Sequence, residues 1–467
     1  MNQSCPELGG RPQSTTPALG MRGLSTRVSE VTRRRFLAFS GVAAGGALAA
    51  GVTQVRWSDL LAAAAQTPLD PSAGVLVMVT LYGGNDGLNT VVPAADPAYQ
   101  AARAELAYAQ PDVLDLGEGL GLNPGLKGLH DLWETKELAV LRGVGYPEPD
   151  RSHFRSMAIW QTASPRTAST TGWLGRWLDA SGDDPLRAVS LDALIPPMLA
   201  GAKTAAAAFP VGGLRLPKDA LGRSMALLGA PDSADGIWQA RAAKAIADLQ
   251  QAARVLGPAS AGRAGASSAS PELTPASTST PAPASTPGSN ESEDGHDQQT
   301  KGASAGGQGE LAQQLDTVAS LIELGVPTRV YSVSLGGFDT HSDERATQQR
   351  LLTELDGALT GFHRRLQNSE RGRQVVTAVY SEFGRRVTAN ASDGTDHGTA
   401  GPMFVLGRGV AGGFFGTEPS LTDLDDGDLR AGLDFRSVYA ALLEHVLGAE
   451  PEPLLGGWNE RVEGLLS

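Results

Sequence analysis

A single cysteine, Cys5, stands in a chain of 467 residues, so no disulfide can form within it. Stability must rest on packing or on bound metal. Basic residues are also short: 38 Lys and Arg against 51 Asp and Glu give a formal net charge of -13. A sequence-blind grip on phosphate backbones needs Lys and Arg clustered on one face, and the body of the chain has no such cluster, which argues against nucleic acid as a partner. Histidine is scarce as well, at seven residues, so where those seven fall is informative. Hydrophobic residues make up 41% of the sequence, enough for one large core or two modest ones in a globular protein.

The one dense basic run is TRRRFLAFSGVAAGGALAAG, beginning at Thr32. It resembles the twin-arginine export signal: Thr32, Arg33, Arg34, Arg35, Phe36 and Leu37 fit the pattern S/T-R-R-x-F-L, and Ala62-Ala63-Ala64 offers a small-residue cleavage site. Residues 1–65 then read as the signal with its flanking region, and Cys5 is lost with them. A membrane anchor is the rival reading, since roughly 20 apolar residues span a bilayer. The run is rich in Gly and Ala and closes at Arg56, which favours export to the periplasm, the cell envelope or the medium. The resemblance implies the twin-arginine translocase as a partner during export, and passage of a chain already folded, often with its cofactor loaded.

Short apolar runs alternate with helical patterns: GVLVMVTLY (74–82), LAVLRGV (138–144), LRAVSL (186–191), TRVYSVSL (328–335), QVVTAVY (374–380) and PMFVLG (402–407). Nearly continuous apolar strands suit a mostly parallel sheet covered by helices on both faces. The helical patterns GLKGLHDLWETK, GIWQARAAKAIADLQQAARVL, ELAQQLDTVASLIELG and QQRLLTELDGALTGFHRRLQ lie between them, giving an α/β layered fold. Residues 70–467 read as one domain. Within it, residues 257–309 turn to Ser, Thr, Pro, Ala and Gly and are expected to be disordered. Helical patterns flank this stretch on both sides, which favours an insertion over an interdomain linker.

Ligands of parallel α/β sheets bind beyond the carboxyl ends of the strands. The first strand is followed by GGNDGLN, with Asp86; the second by GYPEPDRSHFRSMAIWQTA, with Ser152 and His153 opening a helix. GGFDTHSDE, with Asp339 and His341, follows TRVYSVSL, while SEFGRR, with Glu382, follows QVVTAVY and leads to Asp396 and His397. His296 lies in the insertion, and three of the other six histidines fall at these strand ends. Imidazoles with carboxylates suit zinc, manganese, iron or magnesium. Each motif also has a bland reading, as a turn or a helix cap. Ser152 at a helix start sits near free N–H groups that favour an anion, or it is simply the cap.

The set LYGGNDGLNTVVP, YPEPDRSHFRSMAIWQTA, GGFDTHSDE, YSEFGRRVTANASDGTDHGTAGPMFVLGRG and DFRSVYAALLEHVLG, in this order, resembles the bacterial family DUF1501 from about residue 33 onward, apart from the insertion. The family is grouped by similarity with alkaline phosphatases and sulfatases. That implies a doubly wound, alkaline phosphatase-like fold with a bimetal site at the strand ends. Asp86 then looks like a metal-contacting acid, Ser152 like the nucleophile with His153 beside it, and Asp339 and His341 like the acid and histidine of one metal. Glu382 and Phe383 stand where an acid and a histidine are usual. His397 looks like the later histidine before a Pro-containing strand; with Phe383 at a ligand position, either the site holds one ion or Asp396 or His153 is a substitute ligand. The resemblance implies an exported, divalent-metal-dependent hydrolase of phosphate or sulfate esters, small or polymeric, using Ser152 or a metal-bound water. The alternative is a non-catalytic exported binding protein on the same fold, which Phe383 favours.

Overall fold

A computed structural model describes residues 53–54, 57–182, 184–192, 194–209, 310–407 and 409–466. The Arg-rich run, the helical pattern at 236–256 and the insertion at 257–309 lie outside the described residues. Ten strands form the main sheet: β1 (Thr53–Gln54), β2 (Val75–Leu81), β3 (Leu138–Gly145), β4 (Ala188–Ser190), β5 (Ala207–Ala208), β6 (Val330–Leu335), β7 (Val375–Ser381), β8 (Gly401–Gly407), β9 (Gly413–Phe415) and β10 (Leu433–Asp434). Their order is β1-β5-β4-β6-β2-β7-β8-β3-β9, with β10 also on β3. Strands from both sides of residues 210–309 therefore share one sheet.

Alternation along each strand explains why the sheet is covered twice. In β2, Val75, Val77, Val79 and Leu81 join one apolar cluster, while Leu76 and Met78 join the other. The first cluster packs helices α3 (Lys127–Glu134), α6 (Glu310–Glu323) and α7 (Glu344–Gln367) on the sheet through Trp133, Leu315 and Leu355. The second packs α4 (His153–Thr162), α5 (Trp173–Ser181) and α8 (Phe435–Leu442) through Trp160, Trp173 and Tyr439. Trp173 is fully buried and stacks on Tyr439 at 4.2 Å between ring centroids. Truncating such a side chain to Ala costs about 3–5 kcal/mol. Helix α1 (Trp57–Gln66) also joins the core through Leu60, so the expected cleavage site Ala62-Ala63-Ala64 falls inside a packed helix.

One strand departs from the parallel expectation. PMFVLG forms β8, which runs antiparallel to both β7 and β3. An apolar run signals burial on both faces and carries no direction. The orientation matters for the site: Leu81 pairs with Leu335 and with Ser381, so β2, β6 and β7 end together. Because β8 is reversed, it starts at that same edge, where Gly401 pairs with Val144 near the end of β3. The loops carrying Gly83, Asp339, Glu382, His397 and His153 thus converge on one end of the sheet.

Candidate metal centre

Two glycines allow this convergence. Gly83 and Gly84, just after β2, have φ of 116° and 75°, a region open to glycine but strained for other residues. A Cβ on Gly83 would lie 2.4 Å from the Asp339 nitrogen, and one on Gly84 would lie 2.2 Å from the Phe383 ring. The backbone of this turn is therefore pressed against the two loops that carry the polar groups.

Among the described residues, His153, Asp339 and His397 form a candidate metal-binding group, with their ligand atoms all within 4.8 Å of one another. His153 Nε2 lies 3.5 Å from Asp339 Oδ2, and His397 Nε2 lies 3.1 Å from Asp339 Oδ1. His341 stands beside them, its Nε2 3.1 Å from Asp339 Oδ1 and 3.0 Å from His397 Nε2. Four-coordinate zinc with ligands at about 2.0–2.1 Å requires donor atoms roughly 3.3 Å apart. These separations meet that requirement.

The opposite nitrogen of each ring explains which atoms face inward. His153 Nδ1 is 2.9 Å from Glu382 Oε1, His397 Nδ1 is 2.9 Å from the Arg151 carbonyl, and His341 Nδ1 is 3.3 Å from Asp396 Oδ1. Carboxylates and carbonyls only accept, so each Nδ1 donates, and three Nε2 atoms converge on one carboxylate. Asp339 has no proton to give them. Each Nε2 must carry its own proton or face a cation, and His153 Nε2 is buried without any hydrogen-bond partner. The donor set fits a divalent metal on these grounds.

Electrostatics follow from the same contacts. Burial works to raise the Asp339 pKa, but the facing His153, His341 and His397 imidazoles and the Arg385 guanidinium hold it far below the usual carboxylate range. For His153, burial opposes the charged form, yet the Asp339 and Glu382 carboxylates prevail and raise it to about 9. The hydrogen bond to Asp339 likewise raises His341.

Several expected residues occupy other roles. Asp86 stands outside this candidate group: its carboxylate is buried in a bidentate pair with Arg103, at 2.5 and 2.9 Å, and also accepts the Leu88 N–H. Glu382 is committed to orienting His153, with Gly83 N–H on Oε1 and Ser381 Oγ on Oε2. Asp396 is exposed and orients His341. His153 stands in the ligand group itself. Ser152 is the exposed N-cap of α4; its N–H donates to Asp150, and its hydroxyl makes no capping hydrogen bond. Phe383 packs against the His153 and His397 rings at 4.9 and 4.8 Å.

Two arginines of this site carry no signal in the sequence. Arg385 is buried under Asp339, and Arg151 supplies the carbonyl that orients His397 while its guanidinium pairs with Asp428 at 2.5 Å. Arg151 and Phe383 also line an open cavity of about 860 Å³ that runs past Tyr146 and Asp428.

Fold and site together define an α/β protein with a mostly parallel sheet and an imidazole–carboxylate cluster at the strand ends. The chain belongs to the family described as "Protein of unknown function (DUF1501)", whose model matches residues 73–461. No curated protein matches the sequence.

Proposed function

We propose that the protein is an exported, metal-dependent hydrolase of phosphate or sulfate esters on a doubly wound, alkaline phosphatase-like fold. One observation carries the reading: three imidazole Nε2 atoms meet at a single carboxylate, one of them buried and making no hydrogen bond. A bound divalent cation supplies Lewis-acid polarisation of an ester oxygen and acidifies a nearby hydroxyl or water. His153, Asp339 and His397 would hold it. Ser152, exposed at the start of α4, is the nucleophile, and the free N–H groups of that helix start steady the ester's anionic oxygens. The adjoining cavity has the volume of a small-molecule site. Export rests on Thr32 to Leu37 and their fit to the twin-arginine pattern.

The test is hydrolysis of a panel of aryl phosphate and sulfate esters by protein loaded with zinc, manganese, magnesium or iron. Activity that disappears on chelation and in Ser152→Ala supports the proposal. Activity retained in Ser152→Ala but lost in Asp339→Ala moves the attack to water. A second reading, a binding protein without catalysis, is favoured by Phe383, whose ring covers one side of the donor group. Metal uptake with no turnover of any ester would select it.

A further inference from the structure

The Asp339 carboxylate faces a second cation that belongs to the chain itself. Arg385 is 1% exposed, and its Nη2 donates to Asp339 Oδ1 at 2.8 Å. The rest of the guanidinium is spent on backbone: Nε donates to Gly84 O at 2.6 Å, Nη1 to Thr395 O at 2.8 Å, and Nη2 also to Phe338 O at 2.9 Å and to Gly83 O. Carbonyls from three separate loops therefore pin it. A guanidinium stays charged at all relevant pH values, so this positive charge is permanent as well as immobile.

We infer that Arg385 holds the place and the charge of a second metal ion, so that the centre takes one divalent cation, between His153, Asp339 and His397. The inference rests on the metal reading proposed above. A second ion ligated by Asp339 Oδ1 would stand about 2 Å from that oxygen. Arg385 Nη2 already stands 2.8 Å from the same oxygen, and its pinned plane cannot swing aside without stripping four carbonyls of their donors. His341 Nε2, 3.1 Å from Asp339 Oδ1 and 3.0 Å from His397 Nε2, falls within the shell of the same ion, and Asp396 is engaged with His341 Nδ1 at 3.3 Å. Among the described residues no ligand group separate from this cluster converges. Asp339 is thus shared: Oδ2 is turned to His153, and Oδ1 meets His341, His397 and the guanidinium.

The deciding measurement is metal stoichiometry of the full chain, by native mass spectrometry and elemental analysis, with zinc and with manganese titrated to millimolar. The wild-type protein should bind one ion per chain; two ions of comparable affinity overturn the inference. Binding of no ion at all removes the metal centre itself, a result distinct from two. Arg385→Gln keeps amide donors but drops the charge, and should admit a second ion as metal is raised, whereas Arg385→Lys should stay at one. A folded Arg385→Gln protein that binds one ion with unchanged affinity overturns the role given to the charge. If that variant does not fold, the wild-type and Arg385→Lys stoichiometries decide.

Discussion

Oε1 of Glu382 receives both His153 Nδ1, at 2.9 Å, and the backbone N–H of Gly83, at 2.8 Å. One oxygen therefore ties the tautomer of a ligand histidine to the turn after β2. Carboxylates that orient metal-bound histidines typically contribute 10–100-fold to affinity. Glu382→Gln should weaken zinc or manganese binding by about that factor, while His153→Ala should weaken it further. Isothermal titration of both variants checks this, and an unchanged affinity in Glu382→Gln would remove Glu382 from its orienting role.

Metal uptake at His153 must displace a proton, because its neighbouring carboxylates raise its pKa to about 9. The sign is fixed: the metal-free site holds the proton below that pH, so apparent affinity climbs with pH up to about 9 and then levels. Near pH 7 the slope should approach tenfold per pH unit for this one group. Proton release measured by titration in buffers of different ionisation enthalpy checks it; a pH-independent affinity between 6 and 8 contradicts it.

Asp86 and Arg103 form a fully buried ion pair, and removing one partner strands the other's charge. Such losses cost about 3–5 kcal/mol. Arg103→Ala should lower stability to denaturant by about that amount, and the folded fraction should still bind metal with wild-type stoichiometry. Loss of metal from a well-folded Arg103→Ala protein would put Asp86 back among the ligands.

Glu344, beside this pair, is fully buried, and burial together with the Asp86 charge pushes its pKa well above its ordinary value of 4.5. Its Oε1 meets no donor, which suits a protonated oxygen facing the Asp86 carboxylate. The folded state then binds a proton that the unfolded state releases above 4.5. Stability from this group is complete at acid pH and is lost as pH rises through the elevated folded value, by up to about 1.4 kcal/mol per pH unit. Glu344→Gln mimics the protonated acid and should flatten that decline in denaturant midpoint across neutral to alkaline pH. A variant that declines as steeply as the wild type would exclude Glu344 as its source.

The sheet was largely legible in the sequence because burial on both faces writes itself as apolar runs: 74–82, 328–335 and 374–380 coincide with β2, β6 and β7 to within two residues. Direction was not, since β8 carries the same kind of apolar run as the parallel strands of the sheet. His153, Asp339 and His397 stood out as rare or charged groups at strand ends. The division of labour among carboxylates did not, because it depends on distant partners: Arg103 claims Asp86, and His153 claims Glu382 from 229 positions away. Arg385 looked like any arginine after a strand, since nothing local in SEFGRR marks a residue whose acceptors are Gly83, Gly84, Phe338 and Thr395.

The reversed strand β8 has a practical consequence. Since β7 and β8 are adjacent and antiparallel, the connection between them, residues 382–400, leaves and re-enters the sheet at neighbouring positions. Glu382, Phe383, Arg385, Asp396 and His397 all ride on it, anchored at both ends by the same hairpin. It is a cassette: relatives could exchange or resize this one segment and alter ligand, orienting carboxylate and internal cation together, while the strand order of the sheet stays as it is.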